Sequence, residues 1–293
     1  MSIFSGLDEI VETDYTLARH TWYGLGGPAD YFIRPQSTEQ LSDVVTRCKD
    51  NDVKLSVIGY GSNLLISDQG VRGAVIQLKS EFFDRTQIEG NLVTAWAGAD
   101  LKTLVLDSVK HGLAGLEMLT GIPGSVGGAI RMNTGGSFGD IGSVVESVAL
   151  MDADGLIFEK CKPELSFDYR TTNITAKLVL NAKVRLTPGD PEQIMRTLQE
   201  TWIYKKNHQP LNTRNCGCVF KNPRGQSAGS LIDHAGLKGL QVGGAKVSDK
   251  HANFIVAQSE CKSVDVKRLI EAVRERVKEH CGVILESEIE VWE

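Results

Sequence analysis

The sequence predicts an α+β fold. Helical and strand periodicities alternate along the chain, two glycine clusters each follow an apolar strand, and a Pro-Gly-Asp-Pro break at 188–191 sets off the last third. With 293 residues, 41% of them hydrophobic and 24% charged, the chain is long enough to pack two or three lobes around a real core. The net charge of −5, with lysines and arginines spread throughout, leaves no basic stripe for nucleic acid, so an anionic ligand must be held by local groups. Met1-Ser2-Ile3-Phe4-Ser5-Gly6 has neither a positive n-region nor an apolar h-region, and no apolar run reaches membrane-spanning length. A cytoplasmic protein without a membrane partner is therefore expected, acting as a monomer. Cys48, Cys161, Cys216, Cys218, Cys261 and Cys281 are scattered through a chain too large to need staples and are expected as reduced thiols.

Taken in order, Ser37 and Gln40 stand at capping-box spacing, and Leu41, Val44, Val45 and Cys48 follow at helical intervals, predicting an amphipathic helix over 37–50. A strand over 53–58 runs into Gly59-Tyr60-Gly61-Ser62-Asn63, and a second, over 74–78, follows a loop with Gly70 and Gly73. A strand at 92–96 and a helix near 101–109 lead into Gly121-Ile122-Pro123-Gly124-Ser125-Val126-Gly127-Gly128-Ala129, then Asn133, Gly135 and Gly136, too dense in glycine for a regular element. Asp154-Gly155 between 148–151 and 156–159 predicts a hairpin, and Leu178, Leu180, Ala182, Val184 and Leu186 alternate as a half-buried strand. Asp190 can cap a helix starting at Pro191 with apolar positions Ile194, Leu198 and Trp202, opening a smaller terminal domain. That domain continues with a helix bearing Val266, Leu269, Ile270, Val273, Val277 and Cys281 on one face, a stop at Gly282, and a last strand over 283–291. The expected domains are thus 19–188 and 190–293.

Loops such as 59–63 and 121–128 let backbone N–H groups approach an anion closely, and a pyrophosphate suits such a cradle. Either cluster alone could be a tight turn. A Rossmann site needs G-x-G-x-x-G between strand and helix, but Leu64 stands three residues after Gly61 and a strand-like segment follows it. The loops resemble instead the FAD-binding fold of the para-cresol methylhydroxylase (PCMH) type, in which two α+β lobes sandwich an extended cofactor.

Thr21-Trp22-Tyr23-Gly24-Leu25-Gly26-Gly27-Pro28-Ala29-Asp30, the Gly-x-Gly-Ser-Asn-Leu-Leu run at 59–65 and Gly-Ile-Pro-Gly-Ser-Val-Gly-Gly-Ala at 121–129 closely resemble the UDP-N-acetylenolpyruvoylglucosamine reductase family, shorter type. Tyr169-Arg170, Gln209-Pro210-Leu211, 217–223, Gly236-Leu237-Lys238-Gly239, Val247-Ser248 with His251-Ala252-Asn253-Phe254, and Leu285-Glu286-Ser287-Glu288 follow in family order, from about Arg19 to the end. The resemblance implies a two-lobed PCMH-type FAD-binding domain plus a smaller C-terminal α+β substrate-binding domain. It implies non-covalent FAD, held by Gly59, Tyr60, Gly61, Ser62 and Asn63 and by Gly121, Ile122, Pro123, Gly124, Ser125, Gly128, Asn133 and Gly135. It also implies that NADPH reduces the flavin and leaves, after which the enolpyruvyl ether of UDP-N-acetylglucosamine-enolpyruvate takes the hydride and becomes UDP-N-acetylmuramate, a peptidoglycan precursor.

Hydride addition generates an enolate-like anion that needs a cation or hydrogen-bond donor where the charge develops. By the family's Tyr-Arg motif Arg170 takes this role, with Tyr169 and Asn222 resembling substrate contacts. The family protonates the carbanion from a serine where this chain reads Gly217-Cys218-Val219-Phe220-Lys221-Asn222-Pro223, so Cys218 is the expected donor. A thiol, with an unperturbed pKa of about 8.5, is a far better acid than an alcohol. Glu288 matches the acidic residue of the terminal motif, and Glu286, two residues away on the same face of a strand, is its rival. Without the motif, Arg170 reads as a surface arginine, Cys218 as a small buried residue and Glu288 as a solvent-facing glutamate. Met132-Asn133-Thr134-Gly135-Gly136, Thr171-Thr172 after Arg170, and Tyr204-Lys205-Lys206-Asn207-His208 depart from the family's pattern, and the last leaves the diphosphate-binding cation open.

Two other functions compete. An oxidase of the same cofactor fold would often attach FAD through a histidine, but His20, His111 and His251 stand in no attachment motif. A zinc module could use Cys216, Cys218, His208 and His234, but Cys-x-Cys is poor structural-zinc spacing, and no metal is expected.

Overall fold

The computed structural model describes residues 3–136 and 138–293; Met1 and Ser2 of the N-terminal segment read above lie outside them. The chain forms two compact units, each assembled from separated segments. The first comprises the segment up to Asp14 with Asp30–Tyr60 and Gly73–Tyr204; the second comprises Tyr15–Ala29, Gly61–Arg72 and Lys205–Glu293.

In the first unit helix α1, Thr38–Asp50, begins where Ser37 accepts a hydrogen bond from Gln40 N, and it buries Leu41, Val44, Val45 and Cys48. The reciprocal bond of the capping box goes one residue further back, from Gln36 N to Gln40 Oε1 at 2.8 Å. Leu55–Ile58 and Val71–Gln77, which overlap the strands expected over 53–58 and 74–78, pair parallel in a four-stranded sheet. A five-stranded antiparallel sheet is ordered Ile157–Cys161, Val145–Met151, Leu178–Arg185, Leu92–Trp96, Thr86–Glu89. Its hairpin turns at the predicted Asp154-Gly155, with Leu150 opposite Phe158. Helix α2, Leu101–Lys110, is capped by Asp100, whose carboxylate accepts from Lys102 N and Thr103 N. Helix α3, Val126–Arg131, corrects the expectation that the glycine-rich stretch holds no regular element: Ser125 caps it, and Val126, Ala129 and Ile130 sink into the shared core and hold the turn in place despite Gly127 and Gly128.

Helix α4, Pro191–His208, starts as predicted, with Asp190 Oδ1 accepting from Glu192 N. Its buried stripe runs through Ile194, Leu198, Thr201 and Lys205, whereas Trp202 is exposed, a correction to the apolar face read from sequence. The spacing 194, 198, 201, 205 keeps one face toward the core at 3.6 residues per turn, and Trp202 falls off it. Because Ile194 and Leu198 pack in the core of the first unit, the division between units lies within α4 at Tyr204/Lys205, beyond the break at Asp190.

The second unit packs α5, Ala228–His234, and α6, Ser263–Cys281, with a three-stranded antiparallel sheet of Gln241–Val242, Ala245–Val247 and Ile255–Ala257. Helix α6 buries Val266, Leu269, Ile270, Val273 and Val277 and ends at Gly282 with φ 69°. The segment after it is not the continuous strand expected over 283–291: only Ser287 bridges, to Phe220, before a short strand at Glu290–Trp292. That strand pairs parallel with Leu64–Ile66, which is why 61–72 folds with the C-terminal third. Asp68 adds a second tie, its carboxylate accepting from Ser263 N while its own N–H donates to Ser263 Oγ, so a loop two hundred residues earlier in the chain caps α6. None of the described helices is long and apolar enough to cross a membrane.

Tyr23 is fully buried in this core and its hydroxyl has no hydrogen-bond partner among the described residues. Burial, then the neighbouring Cys216 and Cys261, hold its pKa well above the usual phenolic value. A buried polar group left unpaired costs about 1–3 kcal/mol. Tyr23→Phe keeps the ring and removes the orphan group, so thermal or urea unfolding should show the variant more stable by about 1 kcal/mol.

Candidate active site

Two glycine loops frame the candidate cofactor cradle. In the first unit Gly59 lies so close to Ser125 that a Cβ built on it would sit 2.5 Å from Ser125 Oγ, the atom that caps α3, so the predicted loops 59–60 and 121–125 meet there. Gln77 Nε2 holds the carbonyl of Gly59 at 3.0 Å. Beside them Tyr60 is half-buried under the Lys79 ammonium, 5.1 Å from the ring centroid. Burial and the nearby Asp100 and Asp84 push its hydroxyl up to about 12. Asp84 is itself raised by burial, against the opposing pull of Lys79.

In the second unit Gly61 has φ 61°, and a Cβ on it would sit 2.0 Å from the carbonyl oxygen of His20, so its backbone is in contact with the predicted 21–30 motif. Trp22 N donates to Gly61 O at 3.1 Å. Cys216, 2% exposed, points its thiol at the same loop, 3.1 Å from Leu64 O and 3.8 Å from Gly61 O; burial pushes that thiol up to about 12. At 59 a side chain would collide with Ser125 Oγ and at 61 with the His20 carbonyl, so the chain's own packing requires glycine at both positions and leaves their backbone bare of side chains. Gly61→Ala meets both the strained φ and the His20 carbonyl, and should lower stability by about 2 kcal/mol or more and release flavin, read as a fall in the flavin-to-protein absorbance ratio.

Tyr169-Arg170 forms the two-residue turn of the hairpin Phe167–Asp168/Thr171–Thr172. Arg170 sits at φ 56°, a conformation that costs a non-glycine residue free energy, and its guanidinium lies 5.3 Å from the Tyr169 ring centroid. Asn133, expected among the cofactor contacts, is 2% exposed with φ 40°. Its amide donates to Asp168 O at 2.9 Å and accepts from Gly142 N at 3.0 Å, so the side chain holds the base of the arginine hairpin. Gly135 pairs with Asp140 in the short ribbon that follows.

The segments that carry Cys218 and Glu288 meet in the second unit. Glu288 N donates to Val219 O at 2.8 Å, and Lys221 N donates to Glu286 O at 2.8 Å on either side of the Phe220–Ser287 bridge. The loop joins the same junction: Asn63 Nδ2 donates to Glu288 O at 3.1 Å and Glu290 N donates to Asn63 O at 3.0 Å. Glu286 turns outward, 74% exposed, and pairs with Lys221 at 2.7 Å, while Glu288 is half-buried. Asn222 Oδ1 accepts from Ala228 N at 2.9 Å, at the entry to α5. Nearby, His251 is held below the usual imidazole range, first by burial and then by Lys238 and His208. Among the described residues no three His, Cys, Asp or Glu side chains are grouped to hold a metal.

The family model described as UDP-N-acetylenolpyruvoylglucosamine reductase, C-terminal domain, matches residues 209–292, and that described as FAD binding domain matches 29–160. The UDP-N-acetylenolpyruvoylglucosamine reductase of Heliobacterium modesticaldum is 41% identical over 94% of this chain and 88% of its own length. That of Moorella thermoacetica is 41% identical over 98% and 95%. The chain belongs to the UDP-N-acetylenolpyruvoylglucosamine reductase family. The crystal structure of the family's Thermus caldophilus enzyme superposes with a TM-score of 0.84 at 38% identity, covering 97% of this chain and 98% of that one. A glucose dehydrogenase, Phl p 4.0202, shares the fold alone, with a TM-score of 0.52 at 17% identity over 65% of this chain.

The chain thus belongs to an FAD-binding reductase family; its candidate cofactor residues stand mainly on two glycine loops and its candidate acid–base residues on a junction of two extended segments. One residue of that junction, Asn253, stands in one of the sequence motifs but has no role read from it. Asn253 is 3% exposed and makes three hydrogen bonds to Val219 and Phe220, and no spacing rule connects it to partners 33 residues away.

Proposed function

We propose that the protein reduces the enolpyruvyl ether of UDP-N-acetylglucosamine-enolpyruvate to UDP-N-acetylmuramate, with NADPH as electron donor, in peptidoglycan precursor synthesis. The observation that carries this reading is identity of about 40% across nearly the whole length of relatives bearing that name. Bound FAD supplies the hydride relay between NADPH and the enol-ether carbon.

The chain's own residues then have separate tasks. Loops 59–63 and 121–125, with Gly128, Asn133 and Gly135, hold and orient the cofactor without covalent attachment. Arg170, presented on its strained turn beside Tyr169, stabilises the negative charge that develops next to the substrate carboxylate. Cys218 delivers a proton from Sγ to the adjacent carbon, and Glu288 assists. Glu288 is favoured over Glu286 because Glu286 is exposed and engaged by Lys221, whereas Glu288 shares a backbone hydrogen bond with the residue after Cys218. Asn222 and Tyr169 contact the substrate.

The test is an absorbance assay. Purified protein should show a flavin spectrum and oxidise NADPH only when the enolpyruvyl UDP sugar is added, and acid precipitation should release the flavin. Oxygen-dependent peroxide formation from an alcohol, with flavin retained in the pellet, would favour an oxidase instead. We place the protein in the cytoplasm as a monomer; six free thiols suit a reducing compartment, and gel filtration checks the monomer.

A further inference from the structure

The proton donor assigned above sits on a segment paired on one side, through an isolated bridge, with the extended segment 286–288. On one side Val219 O and Lys221 N face the 286–288 segment and bond to Glu288 N and Glu286 O. The backbone groups of Phe220 face the other way, where a central residue would normally meet another strand. Here they meet a side chain. Phe220 N donates to Asn253 Oδ1 at 2.9 Å, and Asn253 Nδ2 donates to Phe220 O at 2.8 Å. Asn253 O also accepts from Val219 N at 2.9 Å. Phe220 is 1% exposed and Asn253 3%, so water cannot replace these bonds.

We infer that Asn253 is a positioning residue for the acid–base pair: its planar amide acts as a one-residue strand that fixes the backbone of Val219 and Phe220, and through them the placement of Cys218 and Glu288. The requirement is chemical. At neutral pH, where an exposed carboxyl is ionised, a primary amide is the side-chain group that presents an acceptor and a donor side by side to match an N–H and a C=O of the same residue. Cys218 is the residue before this clamp, and Glu288 is hydrogen-bonded to Val219 within it, so one side chain sets both. The local chain supports the amide in turn, since Asn253 N donates to His251 Nδ1 at 3.3 Å and Ser248 N donates to Phe254 O at 2.8 Å. The inference rests on Cys218 being the proton donor.

The experiment separates the two half-reactions by rapid mixing of the flavin-loaded enzyme. Asn253→Ala should leave flavin reduction by NADPH within about twofold of the parent and slow reoxidation by the enolpyruvyl UDP sugar at least about tenfold, as small misplacements of reacting groups do. Asn253→Asp, nearly isosteric, keeps the fold and adds a signature that a merely structural role would not produce. Ionised, it offers Phe220 O no donor; protonated, it restores both bonds. Its reoxidation rate relative to the parent should therefore rise about tenfold between about pH 8 and about pH 5.5. Equal slowing of both half-reactions, or a flat pH ratio for Asn253→Asp, overturns the inference. Cys218→Ala tells the two failures apart: if it reoxidises at the parent rate, the proton-donor assignment falls and takes this inference with it. If Cys218→Ala is inert while Asn253→Ala reoxidises normally, only the positioning role is wrong.

Discussion

Cys218→Ala should reduce its flavin with NADPH at the parent rate and fail to be reoxidised by the enolpyruvyl UDP sugar, lowering steady-state turnover at least about a thousandfold. The argument starts from charge. Hydride arriving at the enol-ether carbon leaves its neighbour as a carbanion conjugated with the substrate carboxylate, and without a proton the addition reverses. Removing the donor therefore blocks one half-reaction and leaves the other, which involves no proton transfer at this carbon. Cys218 is half-buried, next to the fully buried Val219, on the segment bridged to Ser287, so alanine there removes the acid without opening a core cavity. Cys218→Ser should retain measurable turnover, because an alcohol in the same place can still donate, though it is the weaker acid. Cys216→Ser offers a contrast in the same tripeptide: its thiol is buried against Leu64 O and Gly61 O, so its loss should act on the loop and on flavin retention. Single-turnover absorbance traces at the flavin band read all three variants. Reoxidation of Cys218→Ala at the parent rate would remove this thiol from the chemistry.

Most elements were legible because their signals are local. Ser37 and Asp190 cap helices through bonds to residues two or three positions on, and Asp154-Gly155 turns a hairpin on itself, whereas the helix at Val126–Arg131 was hidden by its glycines. What stayed illegible depends on partners far apart in sequence. Nothing in Leu64-Leu65-Ile66 announces that it pairs with Glu290–Trp292, yet this pairing and the Asp68–Ser263 cap assign 61–72 to the C-terminal unit. The same register explains the misread last strand. Apolar residues over 283–291 satisfy a strand pattern, but the segment must also reach Phe220 at Ser287, so regular pairing resumes only at Glu290.

The site divides along the same line. The glycine loops were visible as residues that only certain backbone geometry requires, whereas the Tyr-Arg and Cys-Val-Phe motifs were visible through the family resemblance alone. The geometry that supports them was not, because it uses side-chain amides bonded to distant backbone: Asn133 to Asp168 and Gly142, Asn63 to Glu288, Asn253 to Phe220.

Arg170→Ala should lower kcat for reduction of the enolpyruvyl sugar by about a hundredfold to a thousandfold, with Arg170→Lys between it and the parent. Lysine keeps a charge but loses the planar fork that can meet a carboxylate and a developing enolate oxygen together. The backbone supplies an independent check. Arg170 holds φ 56° as one of the two central residues of a hairpin turn, a place where glycine or asparagine carries no such penalty. Arg170→Gly should therefore be as inactive as Arg170→Ala yet more stable than it by about 1 kcal/mol, a gap that thermal unfolding resolves. Local strain of this kind persists when the residue has a task that glycine cannot perform. The turn is held from beneath by Asn133, so Asn133→Ala should relax the strain and weaken turnover together. If Arg170→Gly keeps full activity, the strained turn has no catalytic purpose and the charge on the intermediate must be met by another group.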